Sequence, residues 1–298
     1  MTASDTSSSQ AAKEIMAGSF GGVCQVLSGQ PFDTIKVRMQ TQPTPPIYSG
    51  VVDCFKQTVK ADGLRGLYKG TVTPLLGIGA CVSIQFATLE NMKRYLVKSN
   101  GGSTDLSLGQ LYIAGAASGA ANSVVSGPVE HIRTRLQVQS GANVQFRGPL
   151  DCVKQIYSSY GLAGVYKGQG VTLLRELQGY GAYFLTYEYL VQRSCAKSGV
   201  SRRELPIWEV MTYGGLSGYA MWFSVYPVDA VKSKLQTDAL DPAKRRYSSM
   251  LNCFQVTLKQ EGIRGLYRGF VPCMLRAAPV NAITFLGFEA AMNVLGRE

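Results

Sequence analysis

The chain alternates between long stretches with few or no charged residues and shorter stretches in which polar and apolar residues are mixed. Ile15–Phe32 holds eighteen residues without a charge, which is long enough to cross a membrane as a helix. Five comparable stretches follow: Thr71–Leu89, Leu106–Val129, Gln169–Tyr187, Val210–Val228 and Phe270–Phe288. A shorter amphipathic segment separates the two members of each pair. The pattern predicts an all-α membrane protein with six transmembrane helices.

Two polar motifs recur along the chain at a regular distance. The first is PFDTIKVRMQ at Pro31, PVEHIRTRLQ at Pro128 and PVDAVKSKLQ at Pro227. The second is DGLRGLYKG (62–70), YGLAGVYKG (160–168) and EGIRGLYRG (261–269). Matches at a common period indicate tandem structural repeats. We divide the chain into a polar N-terminal tail (1–12) and three pseudo-symmetric repeats (13–103, 104–203 and 204–298).

Each copy of the first motif puts an acid and a cation three residues apart, on one face of a helix. The motif proline predicts a kink that turns this face inward. Around a threefold pseudo-axis, the expected ion pairs of a gate are Lys36–Glu130, Arg133–Asp229 and Lys232–Asp33, and the glutamines Gln40, Gln137 and Gln236 would brace them. An ion pair near water is worth about 0–1 kcal/mol, so a bound ligand could open such a ring. Snorkelling at helix ends explains the cations but not the acids.

Composition and charge narrow the class of protein. With 46% hydrophobic and 16% charged residues and a mean hydropathy of +0.03, the chain suits helices that face lipid on one side and water on the other. The net charge of +11 fits an anionic membrane surface or anionic ligands; a nucleic-acid partner is not expected, because no zinc or RNP-type motif is present. The seven cysteines form no CxxC, and neither a metal site nor a cofactor is predicted.

The basic residues also predict an orientation. The segments 36–70, 133–168 and 232–269 carry 6, 5 and 8 Lys and Arg residues, whereas the loops 93–105 and 193–204 carry 3 and 4. Because Lys and Arg are enriched on the side that is not translocated, both termini are expected on the opposite face.

Ionisable residues within the apolar stretches identify a candidate substrate site. Arg175 and Arg276 occupy equivalent positions in their repeats, and Glu176 follows directly. Charges at such depth are functional by default. Equivalent positions and steps of one helical turn add further residues to this site: Gly77, Cys81, Gln85, Gly179, Tyr183, Val280, Thr284 and, from the third repeat, Trp222. Arginine binds carboxylates and Glu176 could pair with an ammonium group, so the set fits a zwitterion. No catalytic constellation is evident, and no enzymatic activity is expected.

The two motifs together resemble those of the mitochondrial carrier family over essentially the whole chain beyond residue 12. The resemblance implies a six-helix bundle of the inner membrane, with a short matrix helix in each repeat, a central substrate site and alternating access. It also places the termini toward the intermembrane space. The family's cytoplasmic gate falls on Glu90, Lys93, Glu188 and Glu289. Val191 and Met292 replace two of its cations, so this gate is expected to be weak.

The Arg-Glu pair resembles the branch of the family that carries carnitine and acylcarnitine, ornithine and glutamate. The expected substrate is therefore an amino acid or carnitine. Two alternatives stay open, a carrier of organic dicarboxylates and a transport-inactive membrane scaffold. The expected partners are the small-molecule substrate and the bilayer, with cardiolipin at the matrix-side basic segments. A functional monomer is expected.

Overall fold

The computed structural model describes residues 3–102, 106–141 and 144–296, and within these ranges all regular structure is helical. This confirms the all-α class. The α-helices of the described residues are α1 Ala3–Thr41, α2 Val51–Asp62, α3 Val72–Ser99, α4 Leu108–Val138, α5 Pro149–Val165, α6 Gln169–Ser198, α7 Ile207–Thr237, α8 Met250–Leu266 and α9 Phe270–Val294. Short 3₁₀ turns cover Leu64–Tyr68, Arg202–Glu204 and Pro242–Lys244. The start of the predicted tail and the repeat boundary at 103 and 104 lie outside the described residues.

Each predicted repeat consists of a long helix, a short helix and a second long helix. The motif prolines Pro31, Pro128 and Pro227 lie inside α1, α4 and α7, and each helix continues for ten residues beyond its proline. The acid and the cations of the motif are therefore helical, as their spacing requires. The predicted bend at each proline stays a prediction.

In every repeat, one glycine with positive φ ends or kinks the short helix and another precedes the second long helix, the kinks within α5 and α8 being at Gly161 and Gly262. Such φ values are readily adopted by glycine, which has no Cβ. In the second motif these residues are Gly63, Gly161 and Gly262 (φ 66°, 61° and 66°), and Gly70, Gly168 and Gly269 (φ 80°, 81° and 79°). The recurrence of the motif glycines therefore has a backbone reason.

The chain divides into two compact units. The first unit comprises Met1–Gly79, Ile132–Ser159 and Arg268–Glu298, and the second comprises Ala80–His131 and Tyr160–Tyr267. Each has a small apolar core beside its short helix. Ile35, Met39, Cys54 and Leu67 form the core of the first unit, and Val171, Val231, Tyr247, Cys253 and Leu266 form that of the second. Burial raises the pKa of Cys54 to about 11 and that of Cys253 to about 12, so both thiols stay neutral and contribute to packing.

The second cation of the first motif is used inside the same repeat. In the first unit, Arg38 Nη2 lies 3.0 Å from Asp62 Oδ2, and Lys69 Nζ lies 2.8 Å from Asp62 Oδ1. In the second unit, Lys234 Nζ lies 2.7 Å from Glu261 Oε1. These ion pairs tie the end of the long helix to the acid that opens the second motif. In the middle copy, Tyr160 stands where the others have an acid.

Apolar length alone identifies fewer spans than the sequence pattern does. Among the described residues, the helical stretch Met250–Val294 is long and apolar enough to cross a membrane, and Leu64–Gly77 with Gly79–Ser99, bent by 48°, would be a second span. The remaining long helices are rich in Gly, Ala and Ser or carry internal charges, which lowers their hydropathy. The six spans therefore stay a prediction.

The ion pairs of Asp62 predict how stability depends on pH. Burial raises the pKa of Asp62, but hydrogen bonds from Lys69, the Gly141 N–H, Arg38 and Ser140 outweigh it and hold the pKa below its ordinary value of 3.8. This stabilisation is complete above about pH 4 and is lost as the pH falls toward the folded-state pKa. Asp62→Asn should cost about 3 kcal/mol at pH 7 and should unfold with a weaker pH dependence between pH 5 and 3.

Thermal unfolding in detergent measures both effects. The exposed-carboxylate variant Asp241→Asn is the control and should behave as wild type. Equal pH dependence in wild type and Asp62→Asn would contradict this role for Asp62.

The middle glycine of the second motif should also resist substitution. A Cβ at Gly66 would lie 2.4 Å from the Cβ of Asp62, whereas a Cβ at Gly50 would meet nothing within 4 Å. Overpacking of this kind costs about 1–3 kcal/mol. Gly66→Ala should therefore lower the melting temperature in detergent, and Gly50→Ala should leave it nearly unchanged; equal melting temperatures would refute the steric argument.

Candidate substrate and gate site

In the first unit, Asp33 forms ion pairs with two arginines. Arg133 Nη2 lies 2.7 Å from Asp33 Oδ2, and Arg276 Nε lies 3.4 Å from Asp33 Oδ1. Arg133 also donates to Gln30 Oε1 at 2.5 Å. We call Gln30, Asp33, Arg133 and Arg276 the Asp33 cluster. Its charged side chains are only 14–27% exposed, so their electrostatic interactions are weakly screened.

In the second unit, Arg175 lies among three carboxylates. Its Nη2 is 3.0 Å from Glu130 Oε1 and also contacts Glu176 Oε1, and its Nε is 3.9 Å from Asp229 Oδ1. Lys232 Nζ completes the group, 2.6 Å from Glu130 Oε2 and 3.5 Å from Asp229 Oδ1. We call Glu130, Arg175, Glu176, Asp229 and Lys232 the Arg175 cluster.

The ion pairs of the motif residues run in the opposite sense to the one expected. The sequence analysis paired Asp33 with Lys232 and Glu130 with Lys36. In the structure, Asp33 pairs with Arg133, and Glu130 pairs with Lys232. Asp33 and Glu130 thus each meet the cation of the copy that follows. The three repeats allow both senses equally, because the order of charges within a motif does not encode the direction in which neighbouring copies meet.

The predicted brace residues also bond differently. Gln137 donates to Thr34 Oγ1 in the first unit and Gln236 donates to Thr172 Oγ1 in the second, both at 3.3 Å. Neither hydrogen bond goes to a gate acid or cation. Gln40 is buried. At the Asp33–Arg133 pair, the brace is Gln30, which directly precedes the motif proline and was not predicted.

The structure joins two sets of residues that the sequence analysis kept apart. Arg175 and Arg276 were assigned to the substrate site, and Glu130 and Asp33 to the gate. Yet Arg175 pairs with Glu130, and Arg276 lies against Asp33. The Nε of each arginine makes no hydrogen bond although it faces an acid, 3.4 Å from Asp33 Oδ1 for Arg276 and 3.9 Å from Asp229 Oδ1 for Arg175. A carboxylate that binds either guanidinium would therefore compete directly with a gate acid.

Glycines bring the charged residues close together. A Cβ at Gly119 on α4 would lie 2.5 Å from the carbonyl oxygen of Glu176 on α6. Any larger residue at position 119 would separate the two helices. In the first unit, Gly29 gives space to the guanidinium of Arg276, whose Nε would lie 2.8 Å from a Cβ at this position.

Asn122 is a polar neighbour of Glu176 that the sequence analysis missed. Its Nδ2 donates to Glu176 Oε2 at 3.5 Å, and its Oδ1 is buried without a hydrogen bond. The side chain carries no charge and lies in the uncharged stretch Leu106–Val129, so a search for ionisable residues passes over it. The available signal was an amide in an otherwise apolar or small-residue helix.

The other predicted substrate residues are distributed over both units. In the first unit, Gly77 and Val280 are buried, and Thr284 donates to the Val280 carbonyl at 2.7 Å. In the second, Gln85 accepts from the Tyr180 hydroxyl at 2.9 Å, Gly179 packs against Met221 and Val225, and Cys81, Tyr183 and Trp222 are half-buried.

The residues of the predicted cytoplasmic gate are less regular than those of the first motif. On α3, Lys93 Nζ lies 3.8 Å from Glu90 Oε1, and the side chains of Glu90 and Lys93 are 57% and 35% exposed. Glu188, whose repeat has Val191 in place of the expected cation, pairs with Arg202 at 2.9 Å. Arg202 belongs to the 3₁₀ turn after α6, and its guanidinium also lies over the Tyr187 ring. Glu289 is half-buried. A cation from outside the motif thus reaches Glu188.

Comparison with known proteins supports this arrangement of repeats. A family model described as "Mitochondrial carrier protein" matches the chain three times, over residues 7–100, 104–197 and 203–298.

Individual relatives match over nearly their full length. The glutamate/glycine mitochondrial carrier of Schizosaccharomyces pombe is 50% identical, over 94% of this chain and 94% of its own. The mitochondrial basic amino acids transporter of Bos taurus is 43% identical, over 92% and 89%. The mitochondrial carnitine/acylcarnitine carrier protein of Rattus norvegicus is 39% identical, over 95% and 94%.

The pairing of Asp33 with Arg133 can be tested by a double-mutant cycle. Asp33→Asn and Arg133→Gln should be coupled by about 1 kcal/mol or more in their effect on unfolding in detergent, because residues that share an ion pair are not additive. The matched control pairs Asp33→Asn with Arg38→Gln, since Arg38 is bonded to Asp62 instead; its coupling should be below about 0.5 kcal/mol. Equal coupling in both cycles would contradict the pairing.

Proposed function

Because this chain belongs to the mitochondrial carrier family, we propose that it moves a small zwitterionic carboxylate between cytosol and matrix by alternating access. The substrate class is an amino acid such as ornithine or glutamate, or carnitine and its acyl esters. The observation that carries the proposal is the ion pairing of Arg175 and Arg276 with the gate acids Glu130 and Asp33. It couples substrate recognition to the state of the gate.

Arg276 is the proposed receptor for the substrate carboxylate. Its side chain is 27% exposed, so a ligand can reach the guanidinium, and its ion pair with Asp33, 3.4 Å from Nε to Oδ1, is not a hydrogen bond. A guanidinium binds a carboxylate with two parallel hydrogen bonds. A bound carboxylate would weaken the hold of Arg276 on Asp33 and thereby loosen the Asp33 cluster.

Glu176 is the proposed receptor for the positive charge of the substrate. Its side chain is only 4% exposed and contacts Arg175 and Asn122. A buried carboxylate binds a cation strongly because the local dielectric is low. An ammonium at Glu176 would also compete with Arg175 for this carboxylate. Arg175 would then keep its ion pair with Glu130 alone, or lose its ion pairs with both Glu130 and Glu176.

Within the second unit, Arg175 and Glu176 combine a guanidinium with a carboxylate, and this combination favours zwitterions over dicarboxylates. A dicarboxylate would bring negative charge to Glu176, and like charges at close range are costly. The names of the relatives support the same class, since they include carriers of glutamate and glycine, of basic amino acids, and of carnitine. An amino acid is our first choice.

The proposed arrangement in the membrane follows from the sequence. The chain is a multi-pass protein of the mitochondrial inner membrane with six spans, and the Lys- and Arg-rich segments face the matrix. Both termini face the intermembrane space. Anionic lipid such as cardiolipin binds the matrix-side basic segments, and the functional unit is a monomer.

Uptake by proteoliposomes tests the proposal. Wild type should accumulate labelled ornithine, glutamate or carnitine, and Arg276→Ala and Glu176→Gln should each reduce uptake by about 100-fold, because each loses a charge-assisted contact. The exposed variants Arg147→Ala and Asp241→Asn serve as matched controls and should transport as wild type.

Three outcomes would contradict the proposal. Uptake of a dicarboxylate but of no zwitterion would assign the chain to the organic-acid alternative. No transport by a folded protein would favour the scaffold. If Glu176→Gln takes up substrate at the wild-type rate, Glu176 does not bind the positive charge of the substrate, whatever that substrate is.

A further inference from the structure

We propose that Asn122 is a substrate-recognition residue, which together with Glu176 selects ammonium groups that carry N–H bonds and rejects fully N-methylated ones. The inference rests on the proposed function and narrows its substrate class to zwitterions with a primary amine. The carnitine branch, whose cationic group is quaternary, is thereby disfavoured.

The first observation is an unused acceptor beside a buried carboxylate. Asn122 is 3% exposed, and its Oδ1 has no hydrogen bond. A buried acceptor without a donor costs roughly 1–3 kcal/mol, and such groups are rare unless a ligand or a water completes them. The position beside Glu176 makes a cationic donor the matching ligand.

The second observation is that the bond between Asn122 and Glu176 is weak. Nδ2 and Oε2 are 3.5 Å apart, at the outer limit of a hydrogen bond. Glu176 Oε2 therefore retains capacity for a better donor. One turn earlier on α4, Gly119 holds the helix against the backbone of Glu176. The two acceptors, Asn122 Oδ1 and Glu176 Oε2, are thus held together by the packing of α4 on α6.

The chemistry of these two acceptors differs between primary and quaternary ammonium groups. A primary ammonium has three N–H donors and can bond to the carboxylate and the amide oxygen at once. A trimethylammonium has none, so it leaves Asn122 Oδ1 unsatisfied. It is recognised instead through the faces of aromatic rings. A site built to hydrogen-bond a substrate N–H rejects an analogue without it by up to about 10⁴–10⁵-fold.

A series of N-methylated glycines tests this inference. Along the series glycine, N-methylglycine, N,N-dimethylglycine and N,N,N-trimethylglycine, each step replaces one N–H bond by a methyl group, so the Asn122→Leu variant is needed to separate hydrogen bonding from size. Each compound is added to proteoliposomes as a competitor of the labelled zwitterion, ornithine, glutamate or carnitine, that wild type takes up. With wild type, the half-inhibiting concentration should rise along the series, by about 100-fold or more from glycine to trimethylglycine.

Three variants separate recognition from structure. Asn122→Leu has a similar volume without polar atoms, so the ratio between trimethylglycine and glycine should fall by about tenfold or more. Asn122→Gln keeps the amide oxygen without adding a charge beside Glu176 and should retain most of the discrimination. Asn293→Leu, an exposed asparagine near the end of α9, is the control and should match wild type. If Asn122→Leu does not fold, Asn122→Ala takes its place with the same expected result.

The failure of this inference can be told from the failure of the proposed function. Equal inhibition by glycine and trimethylglycine in wild type would refute the inference and leave zwitterion transport intact. So would a folded Asn122→Leu with unchanged discrimination, or one that only lowers the melting temperature, which would indicate a structural role. If wild type transports no zwitterion at all, the proposed function fails, and the inference fails with it.

Discussion

The structure depends on how an arginine is accommodated inside largely apolar helices. A guanidinium cannot be deprotonated in a protein, so its charge must be matched where it lies. Arg175 meets three carboxylates, Glu130, Glu176 and Asp229, and Arg276 lies against Asp33. These pairings fix which helices must stay close together, and they connect the residues proposed for binding to those proposed for gating.

Around the charged clusters, small residues and local ion pairs determine the geometry. Gly119 lets α4 approach Glu176, and Gly29 gives space to Arg276. Near the ends of α1 and α7, Arg38 and Lys234 tie each long helix to the acid that opens the second motif. The charges are therefore arranged in two sets. One set is centred on ion pairs between residues of different copies, and the other on an ion pair within one copy, to which Ser140 and Gly141 of the next copy add hydrogen bonds in the case of Asp62.

Much of this could be predicted from the sequence, because the repeats place equivalent residues at equivalent positions. The helical class and the three copies followed from spacing, and the motif spacing placed Asp33 and Glu130 among opposite charges; Arg175 was found as a charge within an apolar stretch but was assigned to the substrate site and not to Glu130. The sequence did not predict whether a motif acid pairs with the cation of the preceding or of the following copy, since three similar copies allow both arrangements. The number of spans is not established by apolar length, because helices rich in Gly, Ala and Ser have modest hydropathy.

Other residues escaped prediction for a different reason. Gln30, Asn122 and Arg202 lie outside the motif positions, and two of them are uncharged. Their roles depend on which side chains meet in space: Gln30 accepts from Arg133, Asn122 lies on Glu176, and Arg202 reaches Glu188. The sequence pattern alone does not show such contacts, because they form only when the helices pack together.

Arg202 has a consequence for how the copies can diverge. It lies in a connecting turn and not on a helix, so its gain or loss during evolution leaves the spacing of the spans untouched. A protein of three repeats can in this way replace an ion pair that is common to all repeats by a different ion pair in one repeat. A comparison restricted to the helical motifs would score Glu188 as lacking a cation, although Arg202 Nη1 lies 2.9 Å from Glu188 Oε2.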